Sequence, residues 1–238
     1  MARYNGTSGA DRINGSALAD LIYGRDGNDV LNGNRGFDRI WGENGNDVLN
    51  GGAGNDSLAG GAGNDLLRGD DGNDDLWGGF GFDTLFGGQG DDELEGNQGN
   101  DLLYGGQGRD DLEGDGGNDR LFGNEGNDEI EGDDGADILH GNQGNDTLDG
   151  GRGNDILAGG IGADRFEFDL GDGRDRIVDF QNGLDRIEID DLDRGQVQRA
   201  INGAVQQGGD TILTVNASTV IVLEDFNRAN LDLNDFTF

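Results

Sequence analysis

Aspartate recurs every ninth residue over about two-thirds of this chain, and that spacing is where its chemistry begins. With Gly6 as position 1, units start at Gly6, Gly15, Gly24 and every ninth residue to Gly159. The last unit ends at Glu167, giving eighteen units with no insertion or deletion. Position 6 is aspartate in every unit: Asp11, Asp20, Asp29, Asp38, Asp47, Asp56, Asp65, Asp74, Asp83, Asp92, Asp101, Asp110, Asp119, Asp128, Asp137, Asp146, Asp155 and Asp164. Position 1 is glycine throughout, position 4 is glycine except at Leu18, and position 8 is a large apolar residue from Ile13 to Phe166. Carboxylates are hard anionic ligands, and a regular row of them, with turn carbonyls beside it, suits Ca²⁺ at about 2.3–2.6 Å from each oxygen. Mg²⁺ gives up its water reluctantly and fits such a cage poorly. With no cysteine and one histidine, soft-metal chemistry is disfavoured.

The rest of the unit is what must hold those carboxylates in place. Positions 7 to 9 read as a minimal strand whose middle side chain points one way and whose neighbours point the other. The glycines permit a tight turn and close backbone approach. Two turns and two strands make an 18-residue coil, so unit n stacks on unit n+2. Two parallel sheets result, with the position-8 side chains between them and an aspartate row along each edge. Proline is absent, as continuous ladders prefer. Nine coils at ~4.8 Å predict a roll about 43 Å long.

The unit Gly51-Gly-Ala-Gly-Asn-Asp-Ser-Leu-Ala59 shows the whole pattern. It resembles the nonapeptide G-G-x-G-x-D-x-U-x of RTX (hemolysin-type) calcium-binding repeat proteins. The resemblance implies an all-β, right-handed parallel β-roll with calcium between successive turns. It also implies export by a type I secretion machine, folding outside the cell and hence an extracellular protein. After the repeats, which with the N-terminus make a roll over 1–167, residues 168–238 are expected to cap it. Within them Gly171-Asp-Gly-Arg-Asp-Arg-Ile-Val-Asp-Phe180, followed by Gly183-Leu-Asp-Arg-Ile187, is similar to an element that closes many RTX rolls. By that likeness Asp172, Asp175 and Asp185 hold one or two further ions. Residues 194–206 read as a helix, and Thr211–Val215 with Val220–Leu223 as a hairpin around Asn216. The ending Leu231-Asp-Leu-Asn-Asp-Phe-Thr-Phe238 resembles an uncleaved type I export signal. Leu18 departs from the pattern, so the Asp20 site is expected to be poor.

Composition agrees with a metal-held fold. Fifty acidic residues against sixteen basic ones, all arginine, give a net charge of −34, and only 32% of residues are apolar. Self-repulsion at this charge opposes compaction, and the composition alone sits near the disordered class. Eighteen units pair n with n+2 sixteen times, which sets a ceiling of roughly 16 ions carrying about +32. Metal-binding free energy is then folding free energy. So acidic a surface makes nucleic acid and anionic membranes poor partners. The N-terminus has no apolar run of the Sec type, and no stretch nears the ~20 apolar residues of a membrane span.

The two sheets differ in their outward residues. Odd-numbered units place Leu66, Phe86, Leu102, Tyr104, Phe122 and Ile138 on one face, which continues to His140. Even-numbered units place Asp75, Glu93, Glu95, Asp111, Glu113, Glu129 and Glu131 on the other. A flat apolar face of this size implies a cover, either the C-terminal segment or a second copy of the chain.

Enzymatic chemistry finds little support. A zincin H-E-x-x-H motif needs two histidines, and there is neither a G-x-S-x-G elbow nor a cysteine nucleophile. Two other readings stand beside a self-sufficient secreted roll. One is a secretion and folding module belonging to a larger enzyme or adhesin; the other is a structural or adhesive protein of the cell surface. A catalytic domain beside it in the full gene would favour the module. Position 5 is asparagine in ten units but position 3 is never threonine, which disfavours ice binding.

Overall fold

The computed structural model describes residues 1–190 and 192–237. Strands dominate, with one α-helix, Arg194–Gly203, and two short 3-10 turns among the described residues. Successive strands alternate between two parallel stacks, each strand pairing with the one 18 residues on. Leu31 pairs with Leu49 in one stack, and Ile22 with Ile40 in the other. The register expected from the repeat is the register observed.

Individual strands are longer than the x-U-x triplet suggests. Val30–Arg35, Arg39–Asn44 and Val48–Ala53 run from position 7 of one unit through position 3 of the next. The cause is that positions 2 and 3 of the turn also pair one coil on, as Asn34 with Gly52 and Arg35 with Ala53, leaving only position 1 out of the ladder. From Asp111 onward some strands split there, into Asp111–Glu113 and Gly116–Gly117, for example. From Arg25 on, position 2 lies in the left-handed region (φ 83° at Arg25, 79° at Asn34, 75° at Glu43), which turns the chain between sheets. Glycine at position 4 serves a different need. A side chain on Gly54 would collide with the Gly36 carbonyl one coil earlier. Leu18, the one exception, stands exposed at the end of the roll.

Every position-8 side chain from Ile22 to Phe166 is fully buried between the sheets. Complete burial of a leucine or isoleucine contributes about 1.5–3 kcal/mol, so this stripe supplies the roll's apolar cohesion. Ile13, in the first unit, is only partly buried. The roll begins before Gly6, since the strand Ala2–Asn5 lies parallel to Asp20–Tyr23 and places Tyr4 in line with Ile22.

Stacking also continues past Glu167. Gly173–Ile177 pairs with Ile156–Ile161, and Arg186–Ile189 pairs with Arg165–Phe168. Thr219–Leu223 adds one more parallel strand to Gly173–Ile177 and turns back antiparallel against Asp210–Thr214, so the hairpin lies within a residue or two of its expected place. The helix stops at Gly203, and Val205–Gln207 pairs with Asp210–Thr214 as a third strand. The helix starts at a capping box in which Asp193 accepts from the Gln196 amide while the Gln196 side chain accepts from that of Asp193. It buries Val197 and Ile201; with Phe180, Leu213, Ile221, Phe226 and Phe236 these side chains cover the open end of the core. The helix and hairpin pack against the last coils, where an end left open would expose the core. Phe238, the final residue of the export-like ending, lies outside the described residues.

Candidate metal centres

The position-6 aspartates form two buried rows joined by one repeated bond. The Asp29 amide donates to Asp47 Oδ1 at 2.7 Å, and the Asp38 amide to Asp56 Oδ1 at 2.7 Å. The pattern repeats along both edges, as far as the Asp137 amide on Asp155 Oδ1 and the Asp146 amide on Asp164 Oδ1. Each bond fixes one carboxylate oxygen against the preceding coil. The other oxygen, Oδ2, is buried and has no hydrogen-bond partner in each of the sixteen repeat aspartates from Asp29 to Asp164. Buried anionic oxygens without partners are expensive, and sixteen at one repeat position mark a common function rather than an accident.

What surrounds these oxygens is more oxygen. The position-1 glycine lies beside them, and its missing side chain leaves a small space. A Cβ built on Gly78 would stand 2.7 Å from Asp83 Oδ2 and 2.8 Å from the Gly96 carbonyl oxygen. One on Gly96 would stand 2.9 Å from both Asp101 Oδ2 and the Gly114 carbonyl oxygen. A carboxylate and a carbonyl converging where glycine is invariant form a hard, all-oxygen donor set, which fits Ca²⁺. The one histidine lies elsewhere, stacked on Phe122 at 5.1 Å between ring centroids.

Without a cation this arrangement resists ionisation. Burial, reinforced by neighbouring aspartates, pushes Asp65, Asp74, Asp101, Asp110 and Asp119 from 3.8 up to about 7, although each accepts a backbone N–H. Burial likewise pushes Asp47, Asp56, Asp92 and Asp137 to about 6. A bound dication reverses this, because a positive charge favours the ionised form.

The ends of the rows are built differently. Asp11 Oδ2 accepts from the Thr7 amide at 2.6 Å and the Thr7 hydroxyl at 2.9 Å. Asp20 Oδ2 accepts from the Ser16 amide at 2.6 Å and the Ser16 hydroxyl at 2.8 Å. Burial acts to raise the Asp20 pKa, but the bonds from Ser16 and Ala2 outweigh it and hold the carboxyl below its usual value. Thr7 and Ser16 occupy position 2 and, unlike later position-2 residues, do not adopt a positive φ. The Asp20 turn therefore differs because of Ser16, not Leu18.

At the other end, Asp175 continues one row: its Oδ1 accepts from the Asp155 amide at 3.0 Å, and its Oδ2 is buried without a partner. Asp185 continues the second row through the Asp164 amide at 3.1 Å, but its Oδ2 accepts from the Gln181 amide at 2.7 Å. The intervals here are 20 and 21 residues instead of 18, so the nine-residue count could not find them. Asp172 lies off both rows; it accepts from the Asp169 amide, and burial pushes it to about 6.

Other polar roles were hidden in the sequence. Position-5 asparagines form a ladder of their own, Asn28 Oδ1 accepting from the Asn46 amide and Asn46 Oδ1 from the Asn64 amide, both at 3.0 Å. Asp179 accepts from the Gly159 and Gly160 amides at 3.0 and 2.9 Å. On the even face, Glu95, Glu113 and Asp115 bring carboxylate oxygens within 4.8 Å of one another, as do Glu113, Glu131 and Asp133. Burial and those neighbours raise Glu113 to about 7.

Comparison with known proteins agrees with this geometry. The family model of the RTX calcium-binding nonapeptide repeat matches residues 5–40, 23–58, 50–85, 77–112, 86–121, 104–139, 113–148, 131–166 and 140–177. No curated protein matches the chain. Among solved structures, it is similar to the R3 subunit of the mannuronan C5-epimerase from Azotobacter vinelandii. Identity there is 34% over 52% of this chain and 80% of that one, with a TM-score of 0.42. The R2 subunit of the same enzyme gives 30% over 51% and 88%, with a TM-score of 0.40. The extracellular lipase LipA of Serratia marcescens gives 20% over 85% of this chain, with a TM-score of 0.48, and the match spans 45% of the lipase. No helix among the described residues is long and apolar enough to cross a membrane. With overlapping repeat matches from residue 5 to residue 177, the chain belongs to the RTX calcium-binding nonapeptide repeat family.

Proposed function

We propose that this chain is a secreted calcium-binding roll that folds as its aspartate rows fill with Ca²⁺ outside the cell. The observation that carries this reading is the run of buried Oδ2 atoms without partners from Asp29 to Asp164. Calcium, when bound, supplies the positive charge that lets these carboxylates lie one coil apart in their ionised form. The chain's own part is to fix Oδ1 with an amide of the preceding coil and to bring Oδ2 and a glycine carbonyl to one point. Sixteen repeat aspartates keep an open Oδ2, which gives a ceiling of roughly 16 ions in the repeats, and Asp175 adds one more place at the end of one row. Asp11, Asp20 and Asp185 are closed by Thr7, Ser16 and Gln181 and take no ion through Oδ2.

Passage through a type I exporter follows from the resemblance of the ending at Leu231–Phe238 and from folding that waits for calcium. No catalytic step belongs to this reading; the rows, with their extensions at Asp175 and Asp185, take up twenty of the chain's forty aspartates. The odd sheet's apolar rows call for a cover, and a second copy of the chain is the partner its charges suit.

The test is circular dichroism of the metal-free protein titrated with Ca²⁺ and, separately, with Mg²⁺. A cooperative rise of β signal with Ca²⁺ alone, in the sub-millimolar to millimolar range, is the expected result; full β signal in excess chelator contradicts the reading. A second expectation concerns the closed turns. In Ser16→Gly, position 2 is free to adopt the left-handed backbone of later turns, Asp20 Oδ2 loses its hydroxyl partner, and calcium stoichiometry should rise by one. An unchanged stoichiometry would mean that the hydroxyl is not what keeps that turn free of metal.

A further inference from the structure

Within the repeats, the odd sheet carries no carboxylate at its outward positions 7 and 9. Within the repeats its outward positions run Arg12, Asn14, Val30, Asn32, Val48, Asn50, then from Leu66 and Arg68 to Ile156 and Ala158, with arginine at 12, 68 and 120 as the fixed charges there; beyond them Arg176 follows Ile156 and pairs with Glu224. In a chain of fifty acidic residues, a face free of them needs a reason. The opposite face carries nine, five of them at Glu93, Glu95, Asp111, Glu113 and Glu129. Phe86, Tyr104, Phe122 and His140 form one continuous stack on the odd face, with centroids 5.0, 4.9 and 5.1 Å apart, and the Arg68 guanidinium lies 5.4 Å above Phe86. These rings are half-buried. The C-terminal strands and helix stack on the end of the roll, so they do not supply the cover.

We infer that two copies of this chain pack odd face on odd face, antiparallel about a two-fold axis near Thr84 and Phe86. This rests on the calcium-filled reading above, because only a neutralised roll can approach its twin. Both copies share one coil spacing, so their ladders are commensurate along the whole contact. With the two-fold axis across the roll, the coil of Arg68 meets that of Leu102 and Tyr104, and the coil of Arg120 meets that of Val48 and Asn50. The coil of His140 meets that of Asn32. Arg68 faces an aromatic ring and Arg120 an amide, both favourable neighbours for a guanidinium, while Arg12, at the end of the contact, meets the coil of Ile156 and Ala158. Parallel packing sets Arg68 against Arg68 and Arg120 against Arg120, and packing on the acidic face buries carboxylates against rings; both are costly. The antiparallel arrangement is isologous and closed, leaving the acidic faces in water. The contact is about 43 Å long and about 10 Å wide, roughly 430 Å² per copy before flanking turns. This is below the ~800 Å² of a standard interface, so association should depend on concentration.

The experiment is sedimentation equilibrium in saturating calcium from about 5 to 200 µM, with circular dichroism on the same samples. A monomer of 25.1 kDa giving way to a dimer at the higher concentrations supports the pairing. Phe86→Glu, which sets like charges together at the axis, should remain monomeric with an unchanged β signal. A folded wild type that is monomeric throughout overturns the pairing and leaves the calcium reading standing. A dimer that survives Phe86→Glu, or open-ended assemblies in place of a dimer, also overturns it. A chain without β signal in calcium fails the calcium reading first and this one with it.

Discussion

Gly78→Val is expected to break the roll near its middle while leaving composition and charge almost unchanged. The new side chain would begin 2.7 Å from Asp83 Oδ2 and 2.8 Å from the Gly96 carbonyl, at the point where the two oxygens converge. Forced overpacking alone costs about 1–3 kcal/mol, and here it also displaces the groups that offer themselves to an ion. Coils above and below depend on each other through the same ladders, so a solenoid loses more than the single site. The expected result is a calcium midpoint raised several-fold, a less cooperative transition and the loss of at least one ion. Gly203→Ala is the control, because a Cβ there meets nothing within 4 Å. Equal calcium titrations for the two variants would show that the position-1 glycines do not shape the sites.

Acid should do part of calcium's work. In the chelated protein, the interior aspartates of the folded roll have pKa values raised by burial to about 6 or 7, as at Asp47 and Asp74, against 3.8 for the ordinary group. The folded state then binds more protons than the unfolded one between those limits, so stability falls as pH rises through the window. Below about pH 4 the penalty is absent, and above about pH 7 it is fully felt. Chelated protein should therefore be unfolded at pH 7.5 and gain β signal as it is acidified toward pH 4. In the presence of calcium the order reverses, since protons compete for the same oxygens and the calcium midpoint should rise as pH falls through 7 to 6. Far-UV circular dichroism at a series of pH values, with and without chelator, reads both trends. A chelated chain equally unstructured at pH 4 and 7.5 would contradict the burial argument.

Much of this fold was legible because its period is strict. A nine-residue unit with one inward apolar residue fixes the 18-residue register, and Leu31 on Leu49 follows directly. The aspartate rows were legible for the same reason. Legibility failed where the period did, or where a neighbour's chemistry intervened. Asp175 and Asp185 extend the rows at intervals of 20 and 21, beyond any count of nines, and were legible only through the likeness of their segment to an element that closes RTX rolls. Nothing in the repeat pattern singled out Thr7 and Ser16, whose hydroxyls complete Asp11 and Asp20. Leu18 looked like a defect, yet it stands exposed, and the Asp11 turn, which has glycine at position 4, is closed by Thr7 just as Asp20 is by Ser16. Tyr4 lies outside any repeat and still takes a core position, because the first coil needs something beneath it. The position-5 asparagines were visible only as a frequency; their role as a rung between coils needed coordinates.

The central claim is that the partnerless Oδ2 atoms of the two rows are filled by calcium and that this holds the roll together. Native mass spectrometry of the calcium-loaded chain, with circular dichroism on the same preparation, tests it most directly. The account predicts a folded chain carrying roughly 16 ions, lost together with the β signal as chelator is added. A fully β chain that carries few or no ions would contradict it.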